Sequence, residues 1–300
     1  MQHEEAMGNR WAAGAVMPLK PDATPKAAVD ALIGAVNAAS TVTSAYELQE
    51  KFNKYLEWVT AQERMLGNAY DHDEITQMLF TRRYWALNGA TFEDFGPSLS
   101  MQIDAEVTAR VALFEAERKG IERTVGLWSY QPDLSTFADP GVHALVLDTN
   151  VVEEHPNELA ALAPQWARDA GDHEGAVGIA IAATVVDELD GHKSSNQPMH
   201  GTKIQLGSQA RAALKELDVY FAGTRSMFQL ANPRHPVYAY LQARPLDHAP
   251  LSIADNDIVS YALELKPFAR KVTLISYDRG ICFTAAHLGI NTLRLTYPTT

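Results

Sequence analysis

Beyond residue 141, short apolar runs alternate with helical patterns, and this alternation restricts the fold more than any other feature of the 300-residue chain. Ala144 to Leu147, Val177 to Ala182, Val272 to Ser276 and Thr292 to Leu295 read as strands. Helical patterns cover Glu158 to Asp169, a short segment opening at Thr184, Gln205 to Phe221, Ala254 to Leu265 and Gly280 to Leu288. Strands separated by helices predict an α/β fold, a parallel sheet sandwiched by helices. Ligands of such sheets bind outside the carboxyl ends of the strands. Residues that directly follow a strand are therefore the first place to look for chemistry.

The first half reads differently. Ala27 to Ala39 is alanine-rich, and Ser44 to Tyr70 carries Leu48, Phe52, Tyr55, Leu56 and Val59 at spacings of three and four. Asp71 to Leu87 continues the helical pattern, as does Ser98 to Trp128 with Ile103, Val107, Val111 and Phe114. Asn88-Gly89 and Gly96-Pro97 are turn signals between them. These segments predict an all-α bundle of about four helices, preceded by a loosely ordered lead-in over residues 1–22. No motif in the bundle carries chemistry, and Trp58, Trp85 and Trp128 read as core residues. The turn at Phe137-Ala138-Asp139-Pro140-Gly141 marks a boundary, giving a helical domain over 1–140 and a second domain over 141–300.

Composition narrows the setting. With 46% hydrophobic and 21% charged residues, the chain reads as soluble and globular. No apolar run is long enough to span a bilayer, and the acidic start Met1-Gln2-His3-Glu4-Glu5 is unlike a secretory signal. Cys282 is the single cysteine, which excludes an internal disulfide and a cysteine-based zinc cluster and fits a cytoplasmic location. The net charge of -12 divides into -8 over residues 1–140 and -4 over 141–300. Within 191–246 the balance inverts: Lys193, Lys203, Arg211, Lys215, Arg225, Arg234 and Arg244 face only Glu216 and Asp218. That segment is either a phosphate-binding surface or a solvated helix face with an ordinary charge mix.

Four carboxylates follow strands or open helices. Asp148 ends the run Leu145-Val146-Leu147, Glu188 lies a turn into the helix that begins at Thr184, Asp255 opens Ala254-Asp255-Asn256-Asp257-Ile258, and Asp278 follows Leu274-Ile275-Ser276-Tyr277. Each has a structural reading alone. Turns favour Asp148, Thr184 with Asp187 matches a capping pattern, and Asp255 is a plausible N-cap. Gathered at one sheet edge, however, they repel one another unless a cation sits between them. Hard divalent cations such as Mg²⁺ or Mn²⁺ take oxygen ligands of this kind and support in-line phosphoryl displacement.

In order and spacing, four segments resemble the PIN-domain nucleases: Leu-Asp-Thr-Asn at 147–150, Val-Val-Asp-Glu-Leu-Asp-Gly-His-Lys at 185–193, Asp-Asn-Asp-Ile at 255–258 and Ser-Tyr-Asp-Arg at 276–279. The resemblance covers residues 141–300 and extends to Arg211 on the helix after the second acid. It implies hydrolysis of phosphodiesters in single-stranded or structured RNA with Mg²⁺ or Mn²⁺. It also implies that Asp148, Glu188, Asp255 and Asp278 are the catalytic, metal-binding acids. Asp257 is a poorer metal ligand than Asp255, because the family's acid lies three residues before the buried isoleucine, here Ile258. Thr149, Asn150 and Ser276 match the small polar positions behind the acids, and Lys193 and Arg211 are the cations expected to grip RNA.

Two features depart from the family pattern. His192 stands where leucine is common, and Ser194 to Gly207 is long and polar, either a gating loop or an inert insertion. Among rival readings, a phosphatase of the haloacid dehalogenase type needs a second Asp where this chain has Asn150. A non-catalytic RNA- or protein-binding module and the toxin of a toxin–antitoxin pair stay open as alternatives. A homo-oligomer and a protein partner for the helical half stay open as well.

Overall fold

The computed structural model describes residues 16–90, 98–128, 141–173, 175–199, 204–221, 227–230, 236–242 and 253–297. The chain divides between Val125 and Gly126 into two compact units. The turn signals at Gly96-Pro97 and at 137–140, the cations Lys203, Arg225, Arg234 and Arg244, and residues 1–15 of the expected lead-in lie outside the described residues.

The amino-terminal unit is helical: α1 (Pro25–Thr43), α2 (Leu48–Leu66), α3 (His72–Leu79), α4 (Arg82–Asn88) and α5 (Ser98–Trp128), whose last turn belongs to the second unit. Residues 71–87 are thus two helices, where the sequence pattern reads as one. Phe80 leaves the helical region (φ -93, ψ 55), and the Thr81 hydroxyl accepts the Tyr84 N–H at 3.1 Å while donating to Glu106 at 2.8 Å. A cap of this kind ends one helix and starts the next without Gly or Pro. Residues 16–22 are also more fixed than expected. Met17 and Leu19 are buried, and the Met17 N–H donates to Glu117 Oε1 at 3.0 Å. Buried charge is held in pairs here: Arg110 lies 3.3 Å from Glu106 and donates to the Met78 carbonyl at 3.1 Å.

The second unit is built on β1 (Val142–Leu147), β2 (Ala176–Ile181), β3 (Met227–Leu230), β4 (Val237–Leu241), β5 (Lys271–Ser276) and β6 (Asn291–Arg294). They form one sheet of order β3-β4-β2-β1-β5-β6, with five parallel strands and β3 antiparallel at one edge. Between them run α6 (Thr149–Glu154), α7 (Leu159–Asp169), α8 (Ala183–His192), α9 (Leu206–Phe221), α10 (Ala254–Leu265) and α11 (Arg279–His287). Every residue of β1 and β2 is buried, as expected of parallel strands covered on both faces. Trp128 stacks on Tyr240 with centroids 4.0 Å apart, and the Tyr240 hydroxyl donates to the Leu127 carbonyl at 2.7 Å, so the end of α5 packs on β4. Gly178 lies beneath both rings, where a Cβ would come within 2.9 Å of each.

From β1 the chain moves outward through β2 to β4, then crosses back to β5 and β6 on the other side. The direction of winding therefore reverses between β1 and β5. Their carboxyl ends are in register, Leu147 beside Ile275. A crevice opens at such a reversal because the connections leave the two strand ends on opposite faces of the sheet. Among the described residues no helix is long and apolar enough to cross a membrane.

Candidate active site

Asp148 follows β1 directly into that crevice. Its backbone N–H donates to the Ile275 carbonyl at 3.1 Å, extending the β1–β5 pairing by one residue. Its carboxylate caps α6, with Oδ1 accepting the Thr149 N–H at 2.7 Å. The Asn150 side-chain amide donates to Oδ2 at 2.7 Å, and the Ser276 hydroxyl donates to the same oxygen. Ser276 is in turn fixed by the Asp278 N–H at 2.8 Å, and Asn150 Oδ1 accepts the Tyr277 N–H at 3.2 Å. These bonds tie the residues after β1 to those after β5, so Asp148 has one orientation.

Asp148 is only 5% exposed. Burial pushes its carboxyl up to about 6 despite the hydrogen bonds from Ser276 and Thr149, and the negative charges of Asp255 and Glu188 push it further in the same direction. Asp255 is raised as well, first by burial and then by Asp278. Glu188, half-buried on α8, accepts a hydrogen bond from the Thr149 hydroxyl. Asp278 caps α11, accepting the Gly280 N–H at 2.5 Å. The four acids thus come from four elements and are coupled through Asp148 and Asp255.

The two aspartates at the start of α10 are separated by their side of the helix. Asp255 is partly desolvated but keeps much of its surface open to solvent and feels Asp278, whereas Asp257 is buried with Oδ2 accepting the Thr184 hydroxyl at 2.7 Å. Thr184 is therefore not the cap that its spacing to Asp187 suggests. Helix α8 begins at Ala183 after an Ala182 that offers no side-chain cap, and the Thr184 hydroxyl is used to join α8 to α10. Asp255 is likewise inside the first turn of α10, with Ile253 at the N-cap.

Lys193 and Arg211 are both exposed. Lys193 Nζ lies 2.5 Å from Asp190, and the Arg211 guanidinium donates to the Lys193 carbonyl. The Glu216 carboxylate is turned inward, accepting the Asn157 N–H at 2.6 Å and the Tyr220 hydroxyl. Part of the polar stretch 194–207 is ordered by backbone pairing: the Met199 N–H donates to Ile204 at 2.9 Å and the Leu206 N–H to Gln197 at 2.8 Å. A Cβ on Gly207 would meet the Ser195 carbonyl at 2.6 Å, so only glycine fits where this strap returns to α9.

Residues that sequence reading passed over also border the site. Glu153 on α6 is buried, hydrogen-bonded to His192 Nδ1 at 2.7 Å, and raised by burial in spite of that bond, with Glu188 adding to the effect. His192, the departure from the family's leucine, thereby has a partner. Tyr277, Tyr297 and the buried Cys282 lie nearby too, and the Cys282 thiol is raised by burial and by Asp148.

A family model described as PIN domain matches residues 145–296. The chain belongs to the PIN-domain family. No curated protein matches the chain. PIN domains are nucleases at the level of the family and generally use divalent metals on RNA. The four acids of this PIN domain offer oxygen donors with an excess of negative charge around a buried carboxylate, which is donor chemistry suited to a hard divalent cation. Among the described residues, no three His, Cys, Asp or Glu side chains close around a single point.

Proposed function

We propose that this PIN domain is a metal-dependent ribonuclease and that Asp148, Glu188, Asp255 and Asp278 hold its Mg²⁺ or Mn²⁺. The observation that carries this reading is the buried Asp148 carboxylate, fixed at the reversal between β1 and β5, with Glu188 tied to it through Thr149. Like charges around a buried carboxylate are unfavourable in the bare protein, and a cation at that point reverses the sign of the interaction. When bound, such a cation lowers the pKa of water and offsets the charge that builds on a phosphate during in-line displacement.

The chain's own residues prepare the site. The Thr149 N–H, Asn150 and Ser276 fix the Asp148 carboxylate, and the Thr149 hydroxyl fixes Glu188. These bonds remove side-chain freedom before substrate arrives, which lowers the entropy lost on binding. Asp257, bonded to Thr184, contributes by holding the start of α10 against α8 and so placing Asp255. Lys193 and Arg211, exposed at the end of α8 and on α9, supply positive charge for the phosphates that flank the cleaved one. The helical unit takes no part in the chemistry under this reading.

Incubation of the purified protein with single-stranded and structured RNAs tests the proposal. Cleavage in Mn²⁺, none in EDTA, and a loss of at least about a hundredfold in Asp148→Asn are expected. Equal cleavage in EDTA, or intact RNA after prolonged incubation with Mn²⁺, would overturn it.

A further inference from the structure

Beside the acids, Tyr277 and Tyr297 form a stacked aromatic column, which His155 abuts at nearly the same tilt. His155 lies at 22° to Tyr277 with centroids 6.1 Å apart, and Tyr277 lies at 16° to Tyr297 with centroids 4.3 Å apart. The column is braced from within. The Tyr277 hydroxyl is 2.7 Å from His155 Nε2, and Trp166 packs edge-on against His155 at 5.7 Å. The Tyr277 N–H donates to Asn150, which also holds Asp148. At the other end the Leu295 N–H donates to the Ser276 carbonyl at 2.9 Å, which carries the chain beyond β6 past the carboxyl end of β5. Tyr297 follows, 37% exposed, as the last ring of the column. Because Tyr277 lies between Ser276 and Asp278, the stacked Tyr297 ring stands beside the site.

We propose that Tyr297 is the stacking platform for one unpaired nucleobase of the RNA bound at the acids, a positioning that rests on the ribonuclease reading. The aromatic column extends naturally by one more planar ring, and a base is such a ring on the strand whose phosphates the neighbouring site would bind. Because Tyr277 and His155 already hold Tyr297 parallel, little ordering remains when the base arrives. Stacking is tolerant of base identity but requires the base to be out of a duplex. The site therefore selects single-stranded segments over paired ones.

Fluorescence anisotropy with labelled, non-cleavable 8–12-nucleotide RNA analogues in Mn²⁺ separates binding from cleavage, which is followed in parallel with natural RNA. Tyr297→Leu should weaken single-strand binding by about tenfold, Tyr297→Phe by less than about twofold, and Tyr297→Trp should bind as well as wild type or better. Affinity for a blunt duplex should not change. In wild-type protein, a scan with one abasic nucleotide per oligonucleotide should show a single position at which affinity drops. That drop should vanish in Tyr297→Leu. If wild type cleaves with Mn²⁺ while Tyr297→Leu binds and cleaves equally and no abasic position matters, the stacking role is overturned and the nuclease stands. If wild type neither binds nor cleaves RNA, both are overturned.

Discussion

Asp148 meets two demands with one carboxylate: it caps α6, and, itself buried, it feels the charges of Asp255 and Glu188. Three hydrogen bonds compensate its burial only in part, so the proton is held to about pH 6 against an ordinary value of 3.8. The consequence for stability has a definite sign. Between about pH 4 and about 6 the folded protein keeps a proton that the unfolded chain releases, so stability falls as pH rises through this window. A shift of this size corresponds to about 3 kcal/mol by the usual conversion, reduced in practice by local relaxation. Asp255 is shifted in the same direction. In EDTA, therefore, the melting temperature of Asp148→Asn should gain on that of wild type as pH is raised from about 4 to about 7. Differential scanning calorimetry across that range measures the gap, and a constant gap would show that Asp148 is not under electrostatic strain.

The elements around the site differ in how they are held, and α9 carries the next test. Arg211 reaches back from α9 to the Lys193 carbonyl at the end of α8, while its charge remains at the surface. If that charge meets phosphate, Arg211→Glu should weaken RNA binding and lower the slope of log affinity against log salt by about 0.7 for a single strand. A normal slope with a reduced melting temperature would assign Arg211 to the α8–α9 connection alone. Which elements can be read from the sequence follows from their physics. The strands at 142–147, 176–181 and 271–276 are mostly apolar runs, and α9 has a strong period, so both are legible. The edge strand β3 and its neighbour β4, of four and five residues, and the six-residue helix α6 are absent from the sequence reading because each is too short for a clear period. The four acids are visible because each follows a strand or opens a helix. Glu153 and Tyr297 are not, because their nearness depends on His192 and on the path of the chain beyond β6.

On the scale of the molecule, charge is distributed against the obvious expectation for a protein that meets RNA. The whole chain carries a net charge of -12, and both halves are acidic. Long-range attraction therefore does little to gather RNA, and under the proposed function affinity comes from local contacts: exposed cations such as Arg211, an aromatic surface such as Tyr297, and a cation held by the acids. On the proposed reading, the repulsion around Asp148 favours a multivalent counter-ion. Titrating Mn²⁺ into the full-length protein by isothermal calorimetry, beside Asp148→Asn, tests this most directly. Saturable binding in wild type, weakened at least about tenfold by Asp148→Asn with the fold intact by circular dichroism, is the predicted result. Equal Mn²⁺ affinity in the two proteins, or no binding to wild type at millimolar concentration, would contradict it.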